Sequence, residues 1–384
     1  MFLVLVAAAA LLAWLALLLA PWQPHRTRER LEADPSAESD LSDVSVLIPA
    51  RDESAVIART LAALRAQGRG LEVIVVDDQS VDDTAAICAR VAAGTSEALG
   101  VRVLAGTPLP NGWAGKLWAL EQGLTLVGRP YTLLLDADIE LAAGTVAALR
   151  RLATQRGAAL VSVMAELHCM SLAERLLTPA FVFFFKLLYP FALANDPLRR
   201  TAAAAGGCML VRTGDLRALG GFAAIRGALI DDCALAAALK RAGAAIWLGL
   251  SHSVRSLRAY GLRDFWRMVS RSAFTQLRYS VIRLLAATVA MLVMLLAPPV
   301  VLATLPLASG TSAGPLVAVT AGLAWLAMSV AYWPVVRFYR LRSAWALTLP
   351  AAGALFLAMT WASALAYWRG TRATWKNRSY ASSA

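Results

Sequence analysis

Pairs of carboxylates follow short apolar runs in this sequence, and such pairs are typical ligands of hard cations. Asp136 and Asp138 come directly after the apolar run 133–135. A run of that length between polar residues is typical of a buried strand. In an extended continuation, residues two apart point to the same side, so both carboxylates are expected to face one divalent cation, Mg2+ or Mn2+. The alternative is a solvated turn, where Asp is common.

Other acidic residues also follow predicted strands. Asp77 and Asp78 come after the predicted strand 71–76, and Glu53 closes the stretch Pro49-Ala-Arg-Asp-Glu53 after strand 44–48. Further strands are predicted at 101–104, 133–135 and 246–248, and helices at 54–67 (with Ser54 as N-cap), 85–92 and 234–241. This alternation predicts an α/β fold with a mostly parallel, doubly wound sheet. Ligands bind beyond the carboxyl ends of such strands, where these acidic residues would meet.

Two more groups carry candidate chemistry. Asp231 and Asp232 stand at the start of a predicted helix, and adjacent carboxylates can raise the pKa of one of them toward that of a general base. The alternative is a pair that only caps the helix. Lys116 follows a glycine before another predicted helix, where its point charge can reach phosphates, unless it is an ordinary surface lysine.

The chain is more apolar than a soluble protein requires. Of its 384 residues, 59% are hydrophobic and 16% charged, with a mean hydropathy of +0.59. The net charge is +12, but many basic residues flank apolar segments instead of clustering with aromatic residues on a polar domain. This placement favours membrane lipids as partners and argues against nucleic acid. The four cysteines have no metal-ligand spacing and are expected to be reduced thiols.

The apolar segments define the predicted domains. Residues 1–22 form a retained membrane helix, and the basic stretch 26–30 after it predicts that the downstream side is cytoplasmic. A polar linker, 23–43, leads to an α/β domain at 44–260. Three membrane segments are predicted within 284–368, and 369–384 is a basic tail. We therefore expect a multi-pass membrane protein with a cytoplasmic α/β domain, and the family resemblance given below implies the inner (cytoplasmic) membrane of a bacterium.

Two shorter stretches are predicted to lie at the membrane surface. Residues 171–193 are apolar but interrupted by charges and prolines, which favours an interfacial helix over the alternative of a buried core helix. Residues 261–283 contain a basic amphipathic helix. Three C-terminal crossings would place the basic tail outside, against the charge rule. Either the rule fails at the tail or one C-terminal segment is re-entrant.

The order of these motifs resembles that of processive-type, family-2 inverting glycosyltransferases, which have a GT-A nucleotide-sugar domain. The matching motifs lie at 49–53, 76–84, 115–116, 136–138 and 230–232. Longer strings resemble the hopene-associated glycosyltransferases that are encoded with bacterial hopanoid biosynthesis. These strings lie at 107–120, 183–190, 201–212 and 226–235. The resemblance extends from about residue 44 through the first C-terminal membrane segment.

The resemblance implies a role for each candidate residue. Asp136 and Asp138 would hold the divalent cation, and Asp232 would be the catalytic base with Asp231 as its partner. The residues implied in binding the nucleotide-sugar donor are Pro49, Arg51, Glu53, Asp77, Asp78, Lys116, Asp136 and Arg271.

The sequence departs from the family pattern at two places. Asp231 replaces the usual Glu beside the base. Of the Gln/Arg-x-x-Arg-Trp motif that processive relatives carry after the base, only Arg271 matches, although Gln276-Leu-Arg-Tyr279 is an alternative match. The reduced motif favours a single transfer over polymer synthesis.

The function that follows is transfer of a sugar from a nucleotide-sugar donor, of the UDP-sugar type, to a lipid hydroxyl on a hopanoid-like acceptor. One alternative is a ceramide- or polyprenyl-phosphate-type glycosyltransferase with the same acidic motifs. Another is a non-catalytic scaffold subunit of a lipid-synthesis complex, which would be expected to lose Asp138 or Asp232, yet both are present. The sequence names no protein partner.

Overall fold

The computed structural model describes residues 1–35, 40–94, 99–304 and 314–370, with a short antiparallel strand pair at Thr374–Trp375 and Arg378–Ser379. The chain divides into two compact units. The sheet unit comprises Glu29–His168, Phe191–Arg258 and Arg372–Ala384, and the helical unit comprises Met1–Arg28, Cys169–Pro190 and Ala259–Thr371.

Eight strands form one mixed sheet in the sheet unit. They are β1 (Val44–Ala50), β2 (Leu71–Asp77), β3 (Leu99–Ala105), β4 (Tyr131–Leu135), β5 (Ile139–Leu141), β6 (Leu160–Glu166), β7 (Cys208–Arg212) and β8 (Ile246–Ser256). Their order across the sheet is β3-β2-β1-β4-β7-β6-β8-β5. Strands β3, β2, β1 and β4 are parallel to one another, whereas β7 runs antiparallel to β4 and β6.

Helices connect these strands and build the helical unit. In the sheet unit they are α2 (Ile57–Arg65), α3 (Thr84–Ala93), α4 (Gly115–Leu124), α5 (Thr145–Arg156), α7 (Phe191–Asn195), α8 (Thr213–Ala218) and α9 (Asp231–Arg241). In the helical unit they are α1 (Phe2–Leu19), α6 (Leu172–Leu188), α10 (Leu262–Gln276), α11 (Val281–Met291), α12 (Ala297–Thr304), α13 (Gly314–Phe338) and α14 (Leu349–Trp368). A π-helical turn, Leu292–Leu296, joins α11 to α12.

The expected α/β fold is confirmed. Every residue of β1 is buried, as are the last four of β4, because helices cover both faces of a parallel sheet. The core on one face includes Val46 and Leu133, whereas Leu47 and Leu134, one residue further along each strand, belong to the core on the other face. This alternation follows from the two-residue period of a strand.

Two predicted element boundaries are wrong. Helix α2 begins at Ile57 with Val56 at the N-cap, so Ser54 does not cap it. The Ser54 N–H instead donates to Asp82 Oδ2 (3.1 Å), within a turn that opens at Asp52 in the left-handed region (φ 51°). The last strand continues from the predicted end at 248 to Ser256, because its second half pairs with the short strand β5.

Helix α6 covers most of the predicted interfacial stretch. Ser171 Oγ accepts from the Glu174 N–H (3.2 Å) and Glu174 Oε2 accepts from the Ser171 N–H (2.9 Å), so a capping box starts the helix. Eight of its 17 residues are buried, including Glu174 and Lys186. On this face α6 is a core helix of the helical unit, as the alternative interpretation held. Its position relative to a membrane stays a prediction.

Three long helices run the length of the helical unit. Helix α1 is antiparallel to 281–304, since Trp14 Nε1 donates to Met294 O (2.8 Å) and Ala7 packs with Val301. Val317, near the start of α13, belongs to that same cluster. Met1, the end of α12 and the start of α13 therefore lie at one end of the unit. The ends of α1 and α13 and the start of α11 lie at the opposite end, here called the basic end.

The fourth apolar segment returns to the end at which it starts. Residues Ser343–Thr348 form a 3-10 helix that runs back along α13, where Trp333 Nε1 donates to Ser343 Oγ (3.1 Å). Helix α14 then runs antiparallel to 281–304: Trp361 Nε1 donates to Thr288 Oγ1 (3.0 Å), and Ala364 packs with Leu284 near the start of α11. The chain thus leaves the unit at the basic end. A re-entrant segment would follow such a path, and the relation of this segment to a membrane stays a prediction.

This path places the basic residues together. Arg337, Arg342 and Arg369 stand within four residues of helix ends at the basic end, and Arg28 follows the end of α1 by nine residues. The stretch 305–313, between α12 and α13, has no charged residue in its sequence. Four helices in the described part of the chain are apolar and long enough to cross a membrane, which indicates membrane association. A re-entrant last segment agrees with the bias of basic residues toward one membrane side.

The path can be tested with single cysteines in a Cys169→Ser background. We expect Arg28→Cys and Arg369→Cys to react with a membrane-impermeant maleimide from the same side of sealed vesicles, and Pro315→Cys to react from the other side. All three native positions are outside the buried core. Labelling of positions 369 and 315 from one side would contradict the re-entrant path.

Candidate active site

Four chain segments meet at one edge of the sheet unit. Strands β1, β2 and β4 are parallel neighbours, so the residues after them emerge side by side. Strand β7 pairs Cys208 with Leu135 in the antiparallel direction, which brings the preceding Gly206-Gly207 turn to the same edge. There the Asp136 N–H donates to Gly207 O (3.0 Å). The expected convergence of residues beyond the strand ends is thus present.

Lys116 joins two of the predicted carboxylates. Its Nζ lies 2.7 Å from Asp136 Oδ1 and 3.4 Å from Asp231 Oδ2. Lys116 stands in the first turn of α4, and its side chain is only 16% exposed. The alternative of an ordinary surface lysine does not describe this residue. One ammonium therefore links the residue after β4 to the start of α9.

Asp232 is held by two backbone N–H groups. Its Oδ2 accepts from the Gly206 N–H (2.8 Å) and its Oδ1 from the Cys233 N–H (2.7 Å). A methyl group at Gly206 would lie 3.2 Å from Asp232 Oδ2 and 3.4 Å from Lys116 Nζ. Glycine therefore allows the turn to approach both charged groups closely. Helix α9 begins at Asp231, so both aspartates are also in its first turn, where the helix dipole favours carboxylates.

Burial changes the pKa values of this cluster. For Asp232, burial and then the charge of Asp231 raise the pKa to about 7, although Lys116 and the two N–H donors oppose them. For Asp136, burial raises the pKa to about 6 against the lowering effect of Lys116. Burial lowers the pKa of Lys116, but Asp136 and Asp231 outweigh it, and the net pKa is above the usual value. The lysine stays charged, and Asp232 titrates near neutral pH.

A second positively charged side chain, Arg258, pairs with two further carboxylates at this edge. Arg258 Nε donates to Asp138 Oδ2 (2.6 Å), and Arg258 Nη2 donates to both carboxylate oxygens of Glu53. The Leu257 N–H also donates to Asp138 O (2.8 Å), which fixes the backbone beside the arginine. Arg258 was missed by sequence reasoning because the last strand was predicted to end at 248. Only the true end at Ser256 places residue 258 at this edge.

The loops after β1 and β2 are bound to each other. Arg51 Nη1 donates to the backbone oxygens of Asp78 and Gln79, and its distance to Asp78 Oδ2 is 3.9 Å. The Glu53 N–H donates to Thr84 Oγ1 (2.7 Å). Asp78 is fully buried and Asp77 is 9% exposed. These contacts shape the loops, and direct contact of Asp77 and Asp78 with a nucleotide stays a prediction.

Two of the residues predicted to bind the nucleotide-sugar donor, Pro49 and Arg271, are not among the charged contacts described above. Pro49 is buried inside β1 and pairs with Val76 of β2. Arg271 lies on an exposed face of α10 in the helical unit. The structure described for each unit does not test their roles, which stay predictions.

The carboxylate oxygens of the site suit a divalent cation that is also bound by phosphates. Asp136 and Asp138 supply hard carboxylate oxygens, and the edge as a whole brings five carboxylates to two cations. Among the residues that the structure describes, no group of three or more acidic, His or Cys side chains forms a metal site by itself. Mg2+ and Mn2+ commonly bind through one or two carboxylates and complete their shell with substrate phosphates. The residues therefore fit the implied cation.

One family of known proteins matches the part of the chain that supplies several of these residues. Residues 45–220 match the sequence model of the family described as Glycosyl transferase family 2. The matched range contains Glu53, Lys116, Asp136 and Asp138 but ends before α9 and Arg258. The match covers a little under half of the chain, and over this range the sequence is similar to that family.

Two similar proteins extend the comparison. The 4,4'-diaponeurosporenoate glycosyltransferase of Staphylococcus haemolyticus (strain JCSC1435) is 32% identical over 120 residues, which are 30% of this chain and 30% of that protein. A mannosyltransferase from Pyrobaculum calidifontis, solved in complex with GDP-Man and Mn2+, superposes with a TM-score of 0.55 at 18% identity. That match covers 92% of this chain and 99% of the mannosyltransferase. At this identity the likeness shows the fold, which is of the GT-A type.

The close approach at Gly206 yields a prediction. We expect Gly206→Ala to reduce sugar transfer at least tenfold, because the added methyl group displaces Asp232 or Lys116 from its present position. The matched control is Gly214→Ala on α8, where a methyl group meets no atom within 4 Å. Transfer rates and thermal unfolding should be measured for both variants. Unchanged transfer by Gly206→Ala would show that this contact does not matter for activity.

Proposed function

We propose that the protein is a membrane-bound, inverting glycosyltransferase that moves a sugar from a nucleotide-sugar donor to a lipid hydroxyl. The observation that carries the proposal is the partly buried cluster in which Lys116 joins Asp136 to Asp231 while backbone N–H groups hold Asp232. The family match over 45–220 supports the sugar-transfer chemistry. The cluster supports the presence of a working site, which a scaffold subunit would not need.

The donor half of the site would bind the diphosphate. Asp136 and Asp138 would hold the Mg2+ or Mn2+ ion, which when bound offsets the charge of the departing nucleoside diphosphate. Lys116 lies against Asp136 and supplies a fixed positive charge beside the same position. Glu53, Asp77 and Arg51 stand on the adjoining loops and are proposed to hold the nucleoside. The proposed donor is of the UDP-sugar type.

The acceptor half of the site would remove a proton. In an inverting displacement the acceptor oxygen attacks the anomeric carbon while the bond to the diphosphate oxygen breaks on the opposite face. Asp232 would accept the proton of the acceptor hydroxyl. Its two N–H contacts fix the carboxylate, and each oxygen keeps another lone pair for the incoming proton. Asp231 would keep the pKa of this base near neutral and pair with Lys116.

A lipid is the proposed acceptor, of the hopanoid-like polyol class. The four apolar helices found in the described residues support an acceptor that resides in the membrane. The curated relative is named for transfer to 4,4'-diaponeurosporenoate, which also supports a membrane-soluble acceptor class. A bacterial inner-membrane location with the sheet unit in the cytoplasm is part of the proposal, and basic residues at one end of the helical unit support it.

Substitution of the base tests the chemistry. We expect Asp232→Asn to lower transfer by about 10²- to 10⁴-fold, because the amide cannot accept the proton. The matched control is Asp215→Asn on α8, whose carboxylate lies beside Arg212 (3.3 Å). Purified protein in detergent would receive labelled UDP-sugars, Mn2+ or Mg2+, and candidate lipids. Equal loss in both variants, or none in Asp232→Asn, would remove Asp232 as the base.

The pKa of Asp232 predicts the pH profile. Since the base must be deprotonated, kcat/KM should fall as the pH drops below about 7 and level off above it. In Asp231→Asn the fall in kcat/KM should occur at lower pH, because the charge of Asp231 raises the pKa of Asp232. Rate measurements between pH 5 and 9 check both expectations. A fall at the same pH in Asp231→Asn as in the wild type would contradict the assignment of that pKa to Asp232.

The acceptor class has a separate test. Deletion of the gene in its native bacterium should remove one glycosylated lipid from the total lipid extract, and mass spectrometry of that lipid names the acceptor. A profile with unchanged hopanoid glycosides but another missing glycolipid would replace the hopanoid acceptor. It would favour the ceramide- or polyprenyl-phosphate-type alternative and leave the chemistry in place.

A further inference from the structure

Arg258 forms an ion pair with Asp138, which is one of the two proposed ligands of the divalent cation. Its Nε contacts Asp138 Oδ2 at 2.6 Å, and its Nη2 holds both oxygens of Glu53. Asp138 and Glu53 side chains are only 13% and 10% exposed. A guanidinium keeps its charge at any physiological pH, so this positive charge can move but cannot be neutralised. Arg258 and a divalent cation therefore compete for the same oxygen.

We propose that Arg258 is a positioning residue that holds the Asp138 carboxylate until a divalent cation takes it, and that this competition sets the affinity of the site for the cation. The inference rests on the proposed function, which makes Asp138 a cation ligand. It adds a residue outside the range 45–220 that matches the family model.

Glu53 gives the displaced arginine a second partner. The Glu53 backbone N–H donates to Thr84 Oγ1 (2.7 Å), which fixes the backbone of Glu53 on the loop after β1. Arg258 contacts Glu53 through Nη2 and Asp138 through the separate atom Nε. It can release Asp138 and still remain paired with Glu53. The arginine would then stay at the edge as a positive charge when the cation and the donor diphosphate arrive.

Two roles of Arg258 predict opposite changes. If Arg258 competes with the cation, Arg258→Met should bind Mn2+ about three- to tenfold more tightly, as expected for loss of one partly buried ion-pair competitor. The Mn2+ affinity of Arg258→Lys should lie between those of the wild type and Arg258→Met, because lysine keeps the charge but lacks the forked geometry. If Arg258 only maintains the shape of the loop, Arg258→Met should bind Mn2+ more weakly.

The experiment measures Mn2+ binding to the full chain in detergent by electron paramagnetic resonance, without donor or acceptor. Arg255→Met is the matched control, because Arg255 lies three residues earlier on β8 and contacts Glu166 instead (3.4 Å). Asp138→Asn identifies the site, and Arg258→Met should have no effect in that background. Thermal unfolding of each variant verifies that it is folded.

The outcomes separate the inference from the proposed function. Tighter Mn2+ binding by folded Arg258→Met, with Arg255→Met unchanged, supports the inference. Unchanged or weaker binding overturns it while the cation site stands, provided that Asp138→Asn loses binding. If Asp138→Asn binds Mn2+ like the wild type, or if the wild type binds no Mn2+ even after UDP is added, the cation site of the proposed function is wrong and the inference fails with it.

Discussion

The pairing of Lys116 with carboxylates is the constraint on which the candidate site depends. An ammonium that is largely removed from water needs close anionic partners. Asp136 and Asp231 supply them from two distant parts of the chain. The residue after β4 and the start of α9 must therefore stay together. The same requirement sets the position of Asp232, one residue along that helix.

Two positively charged side chains, in separate places, pair with the carboxylates at this edge of the sheet. Lys116 lies on the side of Asp136 and α9, and Arg258 lies on the side of Asp138 and Glu53. The acidic residues outnumber them, which leaves the edge attractive to a divalent ion. One part is suited to proton transfer, because burial raises the pKa of Asp232. The other is suited to cation binding, because hard oxygens face a displaceable arginine.

The helical unit follows a different physical rule. Its long helices bury small residues such as Ala7 and Ala321 against each other, and tryptophan N–H groups find acceptors on neighbouring helices. The return of α14 to the basic end satisfies the distribution of basic residues along the chain. The packing partners of this segment thus decide its direction within the unit.

The sequence by itself determined the α/β class, the apolar segments and the acidic residues at the strand ends, because strand and helix periodicity and hydropathy are local properties. It also singled out Lys116 and the Asp231-Asp232 pair. Only the tertiary structure showed that Gly206 touches Asp232 and that Arg258 holds Asp138. Those contacts depend on the register of β7 and on the pairing of β8 with β5, which join residues that are far apart in the chain. The direction of the last apolar segment was likewise decided by packing between distant helices.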